Sequence, residues 1–136
     1  MLTCSHPDGR YAPGELLVGT WQLAEVPREG MSREEIQGVE VSVLWYTEGK
    51  GDEDLAVHFF QRWNAARLEE IDVTTPQPFQ TELPYSPLTY QGHLLRIRWC
   101  LRLRLFLADG RDLVTELPLT LSSARDAAEI APRDLQ

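Results

Sequence analysis

Residues 93–107, HLLRIRWCLRLRLFL, constrain this chain more than any other stretch. Leu95, Ile97, Trp99, Leu101, Leu103 and Leu105 share one parity; Arg96, Arg98, Cys100, Arg102 and Arg104 share the other. A helix would scatter these arginines around its circumference, whereas a strand puts them all on one side. The run therefore predicts a strand with one apolar and one cationic face. ADGR (108–111) reads as a tight turn and DLVTELPLTL (112–121) as the returning strand of a hairpin. Pro118 in that strand marks an edge position or a bulge.

The same period of two recurs upstream. In IQGVEVSVLWYT (36–47), Val39, Val41, Val43 and Trp45 alternate with Glu40, Ser42, Leu44 and Tyr46. The Gly-punctuated acidic segment EGKGDED (48–54) is a turn, and LAVHFFQRW (55–63) resumes strand character with Leu55, Val57 and Phe59 in phase. ELLVGTWQLAE (15–25), preceded by the turn Tyr11–Gly14, and FQTELP (79–84) add two strands, and RLEEIDV (67–73) a weaker one. Helical signals are short: MSREEI (31–36) has capping-box spacing for one turn, and the tail 122–136 repeats it. The fold class is all-β, an immunoglobulin-like antiparallel sandwich of about seven strands. Residues 1–136 form a single domain, its core at about 11–121 and its tail a short helix or frayed end. Trp45 and Trp99 are expected inward, with Trp21 also in the core and Trp63, at a strand end, partly exposed.

Composition narrows the function classes. At 136 residues, 43% hydrophobic and 25% charged, the chain is neither disordered nor long enough for two full domains. Thirteen basic residues, of which Lys50 is the one lysine, stand against twenty-one acids, for a net charge of −8. That balance disfavours nucleic acid and anionic lipid as general partners. No apolar run reaches the ~18 residues of a membrane span, and no basic-then-apolar leader opens the sequence. The MLTC start lacks the hydrophobic segment of a lipoprotein signal. Cys4 and Cys100, far apart, are read as reduced thiols in a cytoplasmic protein.

Two segments together resemble the arrestin-type domain. YAPGELLVGTWQLA (11–24) is similar to that family's opening aromatic, Pro-Gly-Glu and Gly-containing strand, and ELPYSPLTYQGHLLRIRWCLRLRL (82–105) to its Leu-Pro segment running into a long strand. IQGVEVSVLWYTEGKG is similar to middle strands of bacterial arrestin-like and sporulation-control-like proteins. The resemblance implies an arrestin-type sandwich and a non-enzymatic docking or scaffold role. Animal arrestins carry two such sandwiches and this chain has room for one, so their two-domain polar core and tail exchange do not transfer.

The residues most exposed to a functional reading are Arg96, Arg98, Arg102 and Arg104, with Trp63 beside them. Guanidinium forks match carboxylate and phosphate geometry, so the stripe reads as a site for an anionic segment, phosphate or lipid headgroup. The competing reading pairs these arginines with acids on neighbouring strands, Glu116 among them. Glu48, Asp52, Glu53 and Asp54 sit on one flexible turn with Lys50 among them, which suits a solvated hairpin better than a cation site. His6, His58 and His93 are scattered, and Cys4 with His6 lacks a second ligand pair at zinc spacing. No catalytic or phosphate-binding motif is present, and no cofactor or metal is expected. Unpaired edge strands offer a route to a protein partner or a homo-oligomer.

Overall fold

In a computed structural model, which describes residues 1–23, 35–51 and 53–123, two β-sheets face each other. The smaller has the order β1 (Leu2–Cys4), β3 (Leu16–Trp21), β6 (Gln77–Glu82). The larger runs β2 (Arg10–Tyr11), β9 (Asp112–Leu121), β8 (Leu95–Leu107), β4 (Ile36–Gly49), β5 (Leu55–Asn64), and β7 (Tyr90–Gln91) also pairs with β8. Neighbouring strands are antiparallel except β2 and β9. The all-β sandwich is as expected, with three additional strands of two or three residues. The helical turn expected at 31–36 and the tail lie largely outside the described residues.

Alternation in β4 and β8 builds the core directly. Val39 faces Leu105, Val41 faces Leu103, Val43 faces Leu101 and Trp45 faces Trp99. The three valines and Leu101 are fully buried, Trp99 is nearly so, and Trp45 is half-buried against them. Burying each of these side chains contributes on the order of 1.5–3 kcal/mol. Leu17, Trp21 and Phe79 of the small sheet close the layer from the other side. The packing is tight at Gly19, where a Cβ would come within 2.3 Å of the Phe79 ring.

Four expectations need correction. Residues 67–73 do not form a strand. Asn64 ends β5 and caps α1 (Ala65–Glu69), its Oδ1 accepting from Arg67 N–H at 2.9 Å, and the helix buries Leu68 completely. Ala-Ala-Arg-Leu after an Asn cap is strong helix-forming chemistry, and it overrides the weak alternation downstream. Residues ahead of 11 are not outside the core: Leu2 is buried, and β1 lies along β3 while Arg10 and Tyr11 lie along the end of β9.

The phase of β5 also changes midway. Opposite Val43–Leu44, β5 supplies Val57 and Phe59 with His58 as an extra residue, a β-bulge. Leu55 and Val57 therefore point outward and stay more than half exposed, while Phe59 turns in against the core. Trp63 shares the inward phase of Phe59 and is 3% exposed, rather than partly exposed as its strand-end position suggested. Its ring meets Trp21 edge-on at 5.0 Å, and the Arg67 guanidinium lies 5.4 Å from its centre. Trp63 is a core residue and is not open to a ligand.

Truncating Trp63 should show this in denaturant melts. Trp63→Ala is expected to lower stability by ~3–5 kcal/mol, whereas Phe60→Ala, outward on the same strand, changes it by about 0.5 kcal/mol or less. Similar small losses for both would contradict the inward Trp63.

Candidate functional site: the outer face of the large sheet

The arginine parity of β8 falls on the outer face of the large sheet, between Glu40, Ser42, Leu44, Tyr46 and Glu48 of β4 and Asp112, Val114, Glu116, Pro118 and Thr120 of β9. Acids on both flanks take up most of its charge. Arg102 points both Nε and Nη2 at Glu116 Oε2, each at 2.7 Å. Arg98 pairs with Glu48, and Arg104 lies 3.2 Å from Asp112. Arg62 of β5 continues the pattern with Glu40 at 3.0 Å, and its guanidinium and that of Arg104 both lie over the Phe106 ring. Arg96 makes no ion pair among the described residues. Each exposed pair contributes on the order of 0.2–1 kcal/mol, so together they neutralise this face more than they stabilise the fold.

Beneath the charges lies a thin apolar layer. Leu44 and Cys100, directly opposite each other, are 1% and 4% exposed although they sit on the outer side of the sheet. Pro118 continues this row on β9, in the stretch that β2 leaves uncovered. Burial pushes the Cys100 thiol up to about 12, with the Glu116 carboxylate adding in the same direction. Cys100 is therefore a protonated, apolar floor and a poor nucleophile. Burial, with the Glu48 charge second, also raises the Tyr46 phenol above its ordinary range.

Two shallow depressions share Tyr46 and Glu116 as a common wall. One, of about 410 Å³, opens where β7 and β9 meet along β8 and is lined by Arg98, Cys100, Pro118 and Thr120. The other, of about 260 Å³, is lined by Arg102, Glu53, Asp54 and Leu55. At the β5 margin Leu55, Val57 and Phe60 are 57%, 51% and 53% exposed. This apolar border is not visible in the sequence, because the bulge at His58 decides which β5 residues face outward.

The other polar residues singled out have structural work. His6 stacks on Tyr11, with Nε2 2.9 Å from Glu15 and Nδ1 2.6 Å from the Arg10 carbonyl. His58 Nε2 reaches the Glu82 carbonyl at 2.8 Å and so ties β5 to β6 across the two sheets. His93 is exposed in the loop before β8. Glu53 and Asp54 lie on the β4–β5 turn, and Asp52 lies outside the described residues. Among the described residues no three His, Cys, Asp or Glu side chains converge as metal ligands, and no helix is long and apolar enough to cross a membrane.

No family model matches the sequence, and no curated protein matches it. Among solved structures, the chain is similar to Spo0M, a sporulation control protein from Bacillus subtilis, with a TM-score of 0.55 and 14% sequence identity. The match covers 99% of this chain and 54% of that one, so the chain spans about half the length of that protein. The likeness shows the fold, an arrestin-like sandwich, in agreement with the resemblance carried by residues 11–24 and 82–105.

Two measurements check this description of the face. A double-mutant cycle on Arg102→Ala and Glu116→Ala should give a coupling of ~0.2–1 kcal/mol. A coupling near zero would mean that the pair is not formed. The raised Cys100 value keeps its stabilisation intact below the ordinary thiol value of 9.0 and removes it as pH climbs toward about 12. The wild-type advantage over Cys100→Ala should therefore shrink as pH rises from 9.0 toward about 12. An unchanged difference would place the thiol in water.

Proposed function

We propose that this chain is a non-enzymatic, cytoplasmic protein-interaction module of arrestin-like fold, a scaffold that docks partner proteins on the outer face of its large sheet. The observation that carries the reading is the composition of that face. Arg98, Arg102, Arg104 and Arg62 are each paired with a carboxylate of the same sheet, and the apolar row Leu55, Val57, Phe60 borders them. A face that is neutral in itself and apolar at one margin suits another protein surface better than one of unpaired charges, since a buried charge without a partner costs more than a paired one. A phosphate or headgroup would instead have to displace three carboxylates, with Arg96 alone among the four β8 arginines lacking an ion-pair partner among the described residues.

Site-specific photo-crosslinking in the native cell tests the reading. A crosslinker at Tyr46, beside both depressions, should yield a discrete protein adduct; one at Val18, on the outer face of the small sheet, should not. Equal labelling at both positions, or none at Tyr46, would defeat it. Flotation with phosphatidylserine vesicles separates the anion-binding alternative: the chain should stay with the unbound fraction. Flotation abolished by Arg96→Glu would replace docking with headgroup binding.

A further inference from the structure

The large sheet ends at β5, beyond which no strand lies among the described residues. Ten residues long, β5 has neither Pro nor Lys and carries one permanent charge, Arg62. Exposed edges of this length are ordinarily blunted by such residues or by a bulge that turns the edge away. The bulge at His58 does something else here. Leu55, Val57, Phe60 and Arg62 face outward; Ala56, His58, Phe59 and Gln61 face inward, His58 reaching the Glu82 carbonyl and lying edge-on to Trp99. Read from 55 to 62, the order is out, in, out, in, in, out, in, out. It is the same read backwards.

We infer that β5 is the contact strand of a homodimer, in which two copies pair antiparallel about a two-fold axis through the bulge. An isologous contact brings the same strand to itself, so its facing pattern must be self-complementary. Here one register meets that condition along the whole strand: Val57 opposite Phe60 of the second copy, and Leu55 opposite its Arg62. Moving either strand by one or two residues puts an outward residue against an inward one. The charges agree as well. Arg62 of one copy falls diagonally beside Glu53 of the other, a carboxylate without an ion pair among the described residues, and no like charges meet. The two Val57–Phe60 pairs then set the exposed apolar rows of the two copies side by side across the axis. This inference rests on the protein-docking reading and names a second copy as the occupant of the β5 edge.

Light scattering after size exclusion, over about 1 to 200 μM, should show a mass approaching twice 15.5 kDa at the upper end. Val57→Glu and Phe60→Lys, both at exposed positions, should each leave a monomer, and the double variant, which sets opposite charges across the axis, should restore the dimer. Hydrogen exchange on the wild type, which involves no variant, should show amides of 55–62 more protected at the higher concentration. A monomer throughout overturns the inference, as does a dimer indifferent to both single changes. Protection already complete at the lowest concentration would put another segment on that edge and overturn it too. A monomer whose Tyr46 crosslink persists would remove the homodimer and leave the docking reading standing; a dimer without that crosslink would do the reverse.

Discussion

The structure depends on the register of β8. Its side chains alternate without a break between an aliphatic set and a set containing four arginines, so the strand has one acceptable orientation. A slip of one residue against β4 would carry Arg98, Arg102 and Arg104 toward Trp21 and Phe79 and turn Leu101 and Leu103 to water. Unpaired charges in such a core cost several kcal/mol each, far more than any pair on the outer face returns. The guanidiniums thus act first as a register device, and their carboxylate partners follow from it. Glu116 on β9 and Glu48 on β4 stand where a cross-strand or diagonal arginine can reach them.

That priority shapes what the outer face can recognise. Arginines whose forks are already filled do not form an open anion site, whatever their number, and a net charge of −8 adds long-range repulsion to any anionic ligand. The same pairing makes the face less costly to cover with protein than a row of unpaired arginines would be. Leu44 and Cys100, buried under the side chains above them, give this outer side a thin apolar layer of its own. An anion site and a docking face built from the same arginines therefore differ in one structural variable, whether the neighbouring strands bring acids.

Much of this could be read from sequence, and the failures have physical causes. The β8–β9 hairpin, β4 and its glycine-rich turn were legible because period-two alternation runs for ten or more residues in each. The pairing of Arg102 with Glu116 was legible as an alternative, since both residues sit at positions that face each other once the hairpin closes. Strands of two or three residues, such as β1, β2 and β7, are too short to show a period. The helix after Asn64 was hidden by an alternation in 67–73 that looked strand-like but had no cap in its favour. The apolar margin of β5 was misplaced because a single extra residue reverses parity, and nothing in LAVHFFQRW announces it. Trp63 was misplaced because its position suggested an open strand end, whereas the chain continues into α1 beside it.

The bulge deserves its weight because it acts on three levels at once. It sends His58 inward to the Glu82 carbonyl, so the open side of the sandwich is tied by a side chain where no strand pairing joins the sheets. It turns Phe59 toward Phe79 and Trp63 toward Trp21, adding aromatic area to the core. In doing so it leaves Leu55, Val57 and Phe60 outside on one strand edge, a cost that a solitary sandwich would carry without return. A strand without the bulge would put Leu55, Val57, Phe59 and Trp63 all on one face, with His58 and Phe60 on the other. The chain instead keeps its largest rings inside and exposes smaller residues plus one phenylalanine. Their arrangement about the bulge is symmetric, so the surface that remains is shaped for its own copy. Joined there, two outer faces would become one, with an apolar centre and neutralised charge on either side, the layout expected of a surface that other proteins bind.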